Sequence, residues 1–233
     1  MTTYFTADWH LDHDAILRHA NRPFANTEEM ADVFFQHTNA VLSRGDQLWM
    51  LGDFCWRASN AGKWMARFNR GVQIHVALGN HDAGSLRKYV SSAQDMACRM
   101  FSVGDGKGEC GNGSDSKIKI HLCHYPLFSW RAREHGSYHL YGHSHGMSER
   151  VLNELFPERL AMDVGIDVAW RVLGEWRPFA IDEVVRVITE RNETPRECRQ
   201  CGMVSSSSTN CVHCGGVSCM VVCRPPMVGE AVK

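Results

Sequence analysis

Leu78-Gly79-Asn80-His81-Asp82 decides the reading of this chain. It follows an apolar run, Ile74 to Leu78, that predicts a buried strand, and it precedes Ala83-Gly84-Ser85, which predicts a turn into the next helix. A side-chain amide, an imidazole and a carboxylate therefore stand in a row where a strand ends. Open α/β sheets build their sites on such loops. A polar turn without chemistry is the competing reading of this stretch alone.

Working outward, other strand-like segments end in the same kind of residues. Tyr4-Phe5-Thr6-Ala7 runs into Asp8-Trp9-His10. On an extended segment residues i and i+2 point to the same side, so Asp8 and His10 are expected to share one ion. Asp12, His13 and Asp14 are expected to begin a helix through Leu17. Asn26, with Glu29 three residues on, predicts a capped helix carrying Met30, Val33, Phe34 and Val41 at helical spacing. Leu48-Trp49-Met50-Leu51 is continuously apolar, as in a strand buried on both faces, and ends in Gly52-Asp53. Ala58 to Phe68 is expected to be helical, with Ser59 as its cap. The Gly-rich, Asp-rich and Ser-rich stretch from Phe101 to Ser116 is expected to form a hairpin or loop. Ile118 to Cys123 alternates like a strand and ends at His124-Tyr125-Pro126. Tyr138 to Tyr141 is another, ending at Gly142-His143-Ser144-His145-Gly146. Leu160 to Ile166 predicts a last strand and Asp182 to Arg191 a last helix. Strands alternating with helices argue for a layered α/β domain.

Composition bounds the remaining classes. The 233 residues suffice for one sizeable domain and something small. A net charge of −1 gives no electrostatic reason for a nucleic-acid or membrane partner. No apolar run approaches a membrane span. The N-terminus leads directly into a strand, so no signal peptide is expected and the cytoplasm is the expected place. After Thr194-Pro195 the composition changes. Cys198-x-x-Cys201-Gly202 and Cys211-x-x-Cys214-Gly215 flank a Ser-rich tract. The expected division is a main domain over 1–192 and a Cys-rich tail over 193–233. Paired Cys of this spacing indicate metal in a reducing compartment more than a disulfide framework.

Asp8 and His10, Asp53, Asn80 and His81, His124, and His143 and His145 thus stand at five strand ends. A lone His is usually a hydrogen-bonded structural residue, but five such strand ends are hard to explain by packing. Carboxylate, imidazole and amide oxygen without thiolate suit Mn, Fe or Zn. One bridging carboxylate can hold two ions roughly 3.5–4 Å apart, where a shared water is acidified to a hydroxide that attacks phosphorus.

The blocks Asp8-x-His10, Gly52-Asp53, Gly79-Asn80-His81-Asp82, His124 and Gly142-His143-x-His145, in this order, resemble the calcineurin-like metallophosphoesterase family from residue 4 to about 190. His124-Tyr125-Pro126-Leu127 and Gly165-Ile166-Asp167 are most similar to its small bacterial and phage-type members. The resemblance implies a four-layer α/β/β/α sandwich with two metals at one edge. It implies that Asp8, His10 and His145 hold one ion, that Asn80, His124 and His143 hold the other, and that Asp53 bridges them. His81 would protonate the leaving oxygen. The protein phosphatases of the family carry Gly-Asp-x-x-Asp-Arg-Gly and Gly-Asn-His-Glu. Here Trp56 stands where an acid would orient the catalytic His, and Asp82 replaces the Glu, which speaks against protein phosphatase activity. Arg57 is either a phosphate contact or a solvated surface arginine.

The tail resembles a zinc ribbon, with Cys198, Cys201, Cys211 and Cys214 as a tetrahedral thiolate set around one structural Zn and Cys219 and Cys223 left over. The expected function is dinuclear-metal-dependent hydrolysis of phosphomono- or phosphodiesters of nucleotides or small molecules. Two other readings stand beside it: a nuclease whose ribbon engages nucleic acid, and a catalytically silent binding protein on the same metal scaffold.

Overall fold

Leu48 and Met50 pack into one apolar cluster, and Trp49 and Leu51 into another. That alternation is the reason for the continuous apolar run: the strand is covered on both faces. The computed structural model describes residues 1–82, 84–104 and 116–193, and the backbone of three short strands at 196–198, 204–205 and 220–222. Its elements run β1 (Thr3–Thr6), α1 (Ala15–His19), α2 (Thr27–Val41), β2 (Gln47–Met50), a 3₁₀ turn (Ala58–Asn60), α3 (Ala61–Met65), β3 (Gln73–Ala77), β4 (Ser92–Gln94), β5 (Met96–Val103), β6 (Ser116–Cys123) and β7 (Tyr138–Tyr141). Then follow α4 (Met147–Leu155), β8 (Ala161–Asp163), α5 (Ile166–Leu173), β9 (Phe179–Ala180), α6 (Ile181–Glu193) and β10 (Arg196–Cys198), β11 (Val204–Ser205) and β12 (Met220–Val222).

One sheet has the order β4-β3-β2-β1-β9, parallel except for β9. The other has the order β5-β6-β7-β8, in which β6, β7 and β8 are parallel and β5 is antiparallel to β6. The hairpin expected around residues 101–116 is therefore β5 and β6, with Val103 opposite Ser116. Phe5, Trp49, Leu51 and Ala77 of the first sheet share a cluster with Ala97, Phe101, Ile120, Leu122, Leu140 and Met162 of the second, so the two sheets pack face to face. On the far side of the first sheet, Trp9, Phe34, Phe35, Phe54, Trp64 and Phe68 form an aromatic core under the helices. Trp9 sits at its centre, its ring edge-on to Phe34 and Phe35 with centroids 5.6 and 5.2 Å away. The outer face of the second sheet has a thinner cover, where Trp130, Tyr141 and Ala161 cluster against Leu127.

The capped helix is present. Asn26 Oδ1 accepts from Glu29 N at 2.8 Å, and Glu29 Oε2 accepts from Ala25 N at 2.7 Å. Other expectations need correction. The segment Ala58 to Phe68 is a 3₁₀ turn followed by the single-turn α3, and Ser59 caps nothing. Its helical look comes from Ala61, Trp64, Met65 and Phe68, which do bury at that spacing. The strand placed over Leu160 to Ile166 is only Ala161–Asp163. The chain turns at Gly165 and Ile166 begins α5, a case where apolar periodicity in a short run fits strand and helix equally. Helix α4 was unexpected because none of its side chains is buried.

Parallel pairing puts the C-terminal ends of β1, β2 and β3 at one edge, and those of β6, β7 and β8 at the corresponding edge of the second sheet. The predicted strand-end residues all lie there. At the other end of the chain, β10, β11 and β12 form a separate three-stranded sheet in the order β11-β10-β12. Cys198 closes β10. Cys201, Cys211, Cys214, Cys219 and Cys223 lie outside the described residues.

Candidate metal centre

Asp8 and His10 converge on the site, but not by the expected route. Both have left-handed backbones, with φ of 59° and 51°, so the strand has already ended. Backbone bonds from Asp8 N to Gly52 O (3.0 Å), His10 N to Asp53 O (2.9 Å) and Leu11 N to Phe54 O (3.0 Å) lace this loop to the one after β2. The left-handed turns bring both polar side chains, themselves buried, to the site while Trp9 and Leu11, between and after them, enter the apolar core. Asp53, His143 and His145 also have positive φ, at 54°, 69° and 50°. Non-glycine residues held this way cost stability and concentrate at functional sites.

Asp53 lies at the centre. Its Oδ1 accepts from His81 N at 2.9 Å. Its Oδ2 lies 3.5 Å from His10 Nε2 and 3.3 Å from His124 Nε2. The approach needs Gly79: a Cβ there would collide with the Asp53 backbone nitrogen and carboxylate. Asp82 braces the same crossing. Its carboxylate accepts from the N–H groups of Gly79, Asp53 and Phe54, each at 2.9 Å.

From the second sheet, His124 Nδ1 lies 2.8 Å from Leu51 O. A carbonyl can only accept, so Nδ1 carries the proton and Nε2 is turned toward Asn80 Oδ1 at 3.1 Å and His143 Nδ1 at 3.2 Å. His143 N donates to Asp8 Oδ1 at 2.9 Å. His145 Nδ1 faces Asp167 Oδ2 at 2.6 Å, which leaves Nε2 for the site, and its ring stacks on that of His10 at 5.2 Å.

Two groups of donor atoms result, Asp8 with His10 and His145, and Asp53 with His124 and His143. Within each group the atoms lie within 4.8 Å of one another. The first brings together the residues expected to share an ion; in the second Asp53 stands with His124 and His143, Asn80 Oδ1 lies 3.1 Å from His124 Nε2, and Asp53 Oδ2 reaches toward both groups. The fit to cations is visible in what is unsatisfied. Asp8 Oδ2 and His10 Nε2 are buried without a hydrogen-bond partner. An orphaned buried polar atom costs about 1–3 kcal/mol, and an ion between them would remove that cost.

The electrostatics agree. Burial, and then the neighbouring Asp163 carboxylate, push the Asp8 carboxyl above its ordinary range. Burial lowers His10 to about 3, against the pull of Asp53, so it stands as a neutral donor. Burial also disfavours charge on His124, but its bond to Asp53 and the nearby Asp8 outweigh this and raise it to about 9. Burial opposes ionisation of Asp53 as well, yet the bond to His124 takes it down to about 2. Asp167 is held below the usual range because the Arg22 guanidinium outweighs its burial.

Arg22 and Asp167 had no assigned role. Arg22 Nε and Nη2 each donate to Asp167 at 2.8 Å, and its Nη1 and Nη2 donate to Trp9 O and Asp8 O at 2.8 and 2.6 Å. The chain Arg22–Asp167–His145 thus fixes both the loop after β1 and the imidazole of the loop after β7. Asp163 accepts from Ser144 Oγ (2.9 Å), Gly146 N and Gly165 N (2.8 Å each), holding the His143–His145 loop to the start of α5. Asp167 stood in a family-like block, so a signal existed. Arg22 had none, since 145 residues separate it from its partner.

His81 sits on the side of the first group, its ring 5.4 Å from that of His10. Trp56 lies against it at 4.7 Å and stacks on His13 at 4.1 Å. Arg57 is exposed, and its carbonyl accepts from Cys55 Sγ. Among the described residues no helix is long and apolar enough to cross a membrane.

Comparison with known proteins bears on this geometry. Residues 1–147 match the family model described as calcineurin-like phosphoesterase. An uncharacterized protein of Methanocaldococcus jannaschii is 25% identical over 188 residues, covering 79% of this chain and 90% of that one. The crystal structure of a protein of unknown function from Aquifex aeolicus superposes with a TM-score of 0.56 at 19% identity, covering 80% of this chain and 98% of that one. This last likeness is one of fold.

Proposed function

The chain belongs to the calcineurin-like phosphoesterase family, whose model matches residues 1–147 of 233 and which makes it a metal-dependent phosphoester hydrolase, and from that premise we propose how this site works. Asp8, His10 and His145 would hold one divalent ion, Asn80, His124 and His143 would hold a second, and Asp53 would serve both. The observation that carries this reading is the placement of one carboxylate oxygen, Asp53 Oδ2, within 3.5 Å of a histidine nitrogen from each group. Manganese, iron or zinc suits this mixed oxygen and imidazole set. When bound, two such cations supply Lewis acidity and a water acidic enough to attack phosphorus at neutral pH.

The protein supplies the rest. His81 donates a proton from its imidazole to the leaving oxygen. Asp53 Oδ1, through its bond to His81 N, keeps that residue beside the reacting phosphoryl group. Asp82 keeps the two loops at fixed spacing, so the acid and the bridging carboxylate move together. The substrates are phosphomonoesters or phosphodiesters of nucleotides or small molecules. Hydrolysis of bis-p-nitrophenyl phosphate by manganese-loaded protein, abolished by a chelator and restored by metal, is the expected result. Absence of turnover in protein carrying two ions per chain would contradict it.

In the tail, Cys198, Cys201, Cys211 and Cys214 bind one structural zinc, a reading supported by their spacing. Replacing Cys211 and Cys214 by Ser should remove one zinc equivalent per chain.

A further inference from the structure

The geometry points to a nucleotide-class substrate: we propose that Trp56 is a stacking platform for the planar base of the phosphoester's leaving group. The proposal rests on the reading of His81 as the acid. Three observations support it. Trp56 is 47% exposed beside the buried donors, although an indole is among the largest apolar surfaces a side chain carries. One face of its ring is covered by His13, with centroids 4.1 Å apart and planes within 13°, so its remaining exposure belongs to the opposite face and the edge. Its flank meets His81 at 4.7 Å. A group that leaves with a proton from His81 departs past this open ring.

His13 makes the platform rigid. Its Nδ1 lies 3.5 Å from His10 Nδ1, so the ring under Trp56 is tied to the first ligand group. Across the site, Tyr125 is 43% exposed and lies edge-on to His124 and His143 at 4.9 and 4.8 Å. Each ligand group therefore carries one exposed aromatic ring at its lip. An ester of glycerol or a bare sugar gains little from such rings, whereas every nucleobase presents a π-face to them. Stacking of a base on an aromatic side chain is worth roughly tenfold to a hundredfold in affinity.

The test compares adenosine 5′-monophosphate and its methyl ester with ribose 5-phosphate and its methyl ester. These pairs share the phosphoester and differ by the base. Two readouts are taken on manganese-loaded protein: kcat/KM, and calorimetric binding of the phosphonate isosteres of the two monoesters, which have no ester bond to cleave. The wild type should prefer the adenosine members by roughly tenfold or more in both readouts. Trp56→Ala should erase the preference, chiefly through KM, and Trp56→Phe should restore most of it. No preference in the wild type would overturn the proposal, as would a preference that survives Trp56→Ala. An equal loss on both members would assign Trp56 to the positioning of His81 alone. If no ester is cleaved, the hydrolase mechanism fails. Base-dependent binding of the phosphonates then still decides whether Trp56 stacks.

Discussion

In the first ligand group, Asp8 and His10 are buried and His145 is half-buried, and a further layer of charge stands behind them: Arg22 bonds Asp167, which bonds His145. In the second group Asp53 and His124 are buried, but His143 and Asn80 face solvent, and among the described residues no carboxylate hydrogen-bonds to the His143 ring. The same residue types thus make a closed half and an open half. The closed half has a buried charge network behind its histidine, and the open half presents His143 and Asn80 to solvent. Metal-ligating histidines whose second nitrogen is fixed by a carboxylate gain affinity and lose orientational freedom.

Among residues outside both halves, the largest effect should come from His81. His81→Ala should slow hydrolysis of esters with poor leaving groups by roughly 10²–10⁴, the range of general acid catalysis, and p-nitrophenyl esters by less. Metal content should stay unchanged in both halves. Equal losses for both ester types would leave His81 an electrostatic role only.

Next in size is the brace. Asp167→Asn should weaken one of the two ions by roughly 10–100-fold and leave the other, seen as two separated steps in a chelator titration. The variant should also lose about 3 kcal/mol of stability, since the Arg22 guanidinium is left buried without its counter-charge. Parallel weakening of both ions would show that the two halves are not independent.

The smallest effect is in pH. His124 is raised to about 9 in the ion-free site by Asp53 and Asp8, despite its burial. A group whose folded value lies above its unfolded value of about 6.5 contributes stability that is fully present below that unfolded value. The contribution is lost as pH rises through the folded value. Chelated protein should therefore lose stability between about pH 6.5 and 9, by at most about 3 kcal/mol, and His124→Gln should flatten that slope. Thermal melts across this range check it, and a slope unchanged in the variant would place its source elsewhere.

The fold order was legible because β1, β2, β3, β6 and β7 each pair an apolar run with a polar end, and buried parallel strands require that pattern. The residues that meet at the site were legible for the same reason: each lies in a loop that follows its strand. The conformation of the first loop was not. Alternation placed Asp8 and His10 on one face of an extended strand, whereas both are left-handed, held by partners on Gly52 and Asp53 some 43 residues away. Long-range pairing also hid Arg22 behind an ordinary surface-like sequence. The strand read over Leu160 to Ile166 ran past its true end because Val164 and Ile166 stay buried beyond it, and only Asp163 and Gly165 mark the turn into α5.

The central claim is that Asp53 joins the two halves. Elemental analysis of Asp53→Asn beside the wild type, with hydrolysis of bis-p-nitrophenyl phosphate measured on the same samples, tests it most directly. The expected result is two active-site equivalents in the wild type, at most one in the variant, and turnover abolished in a folded chain. Two equivalents and full turnover in Asp53→Asn would contradict the shared-carboxylate centre.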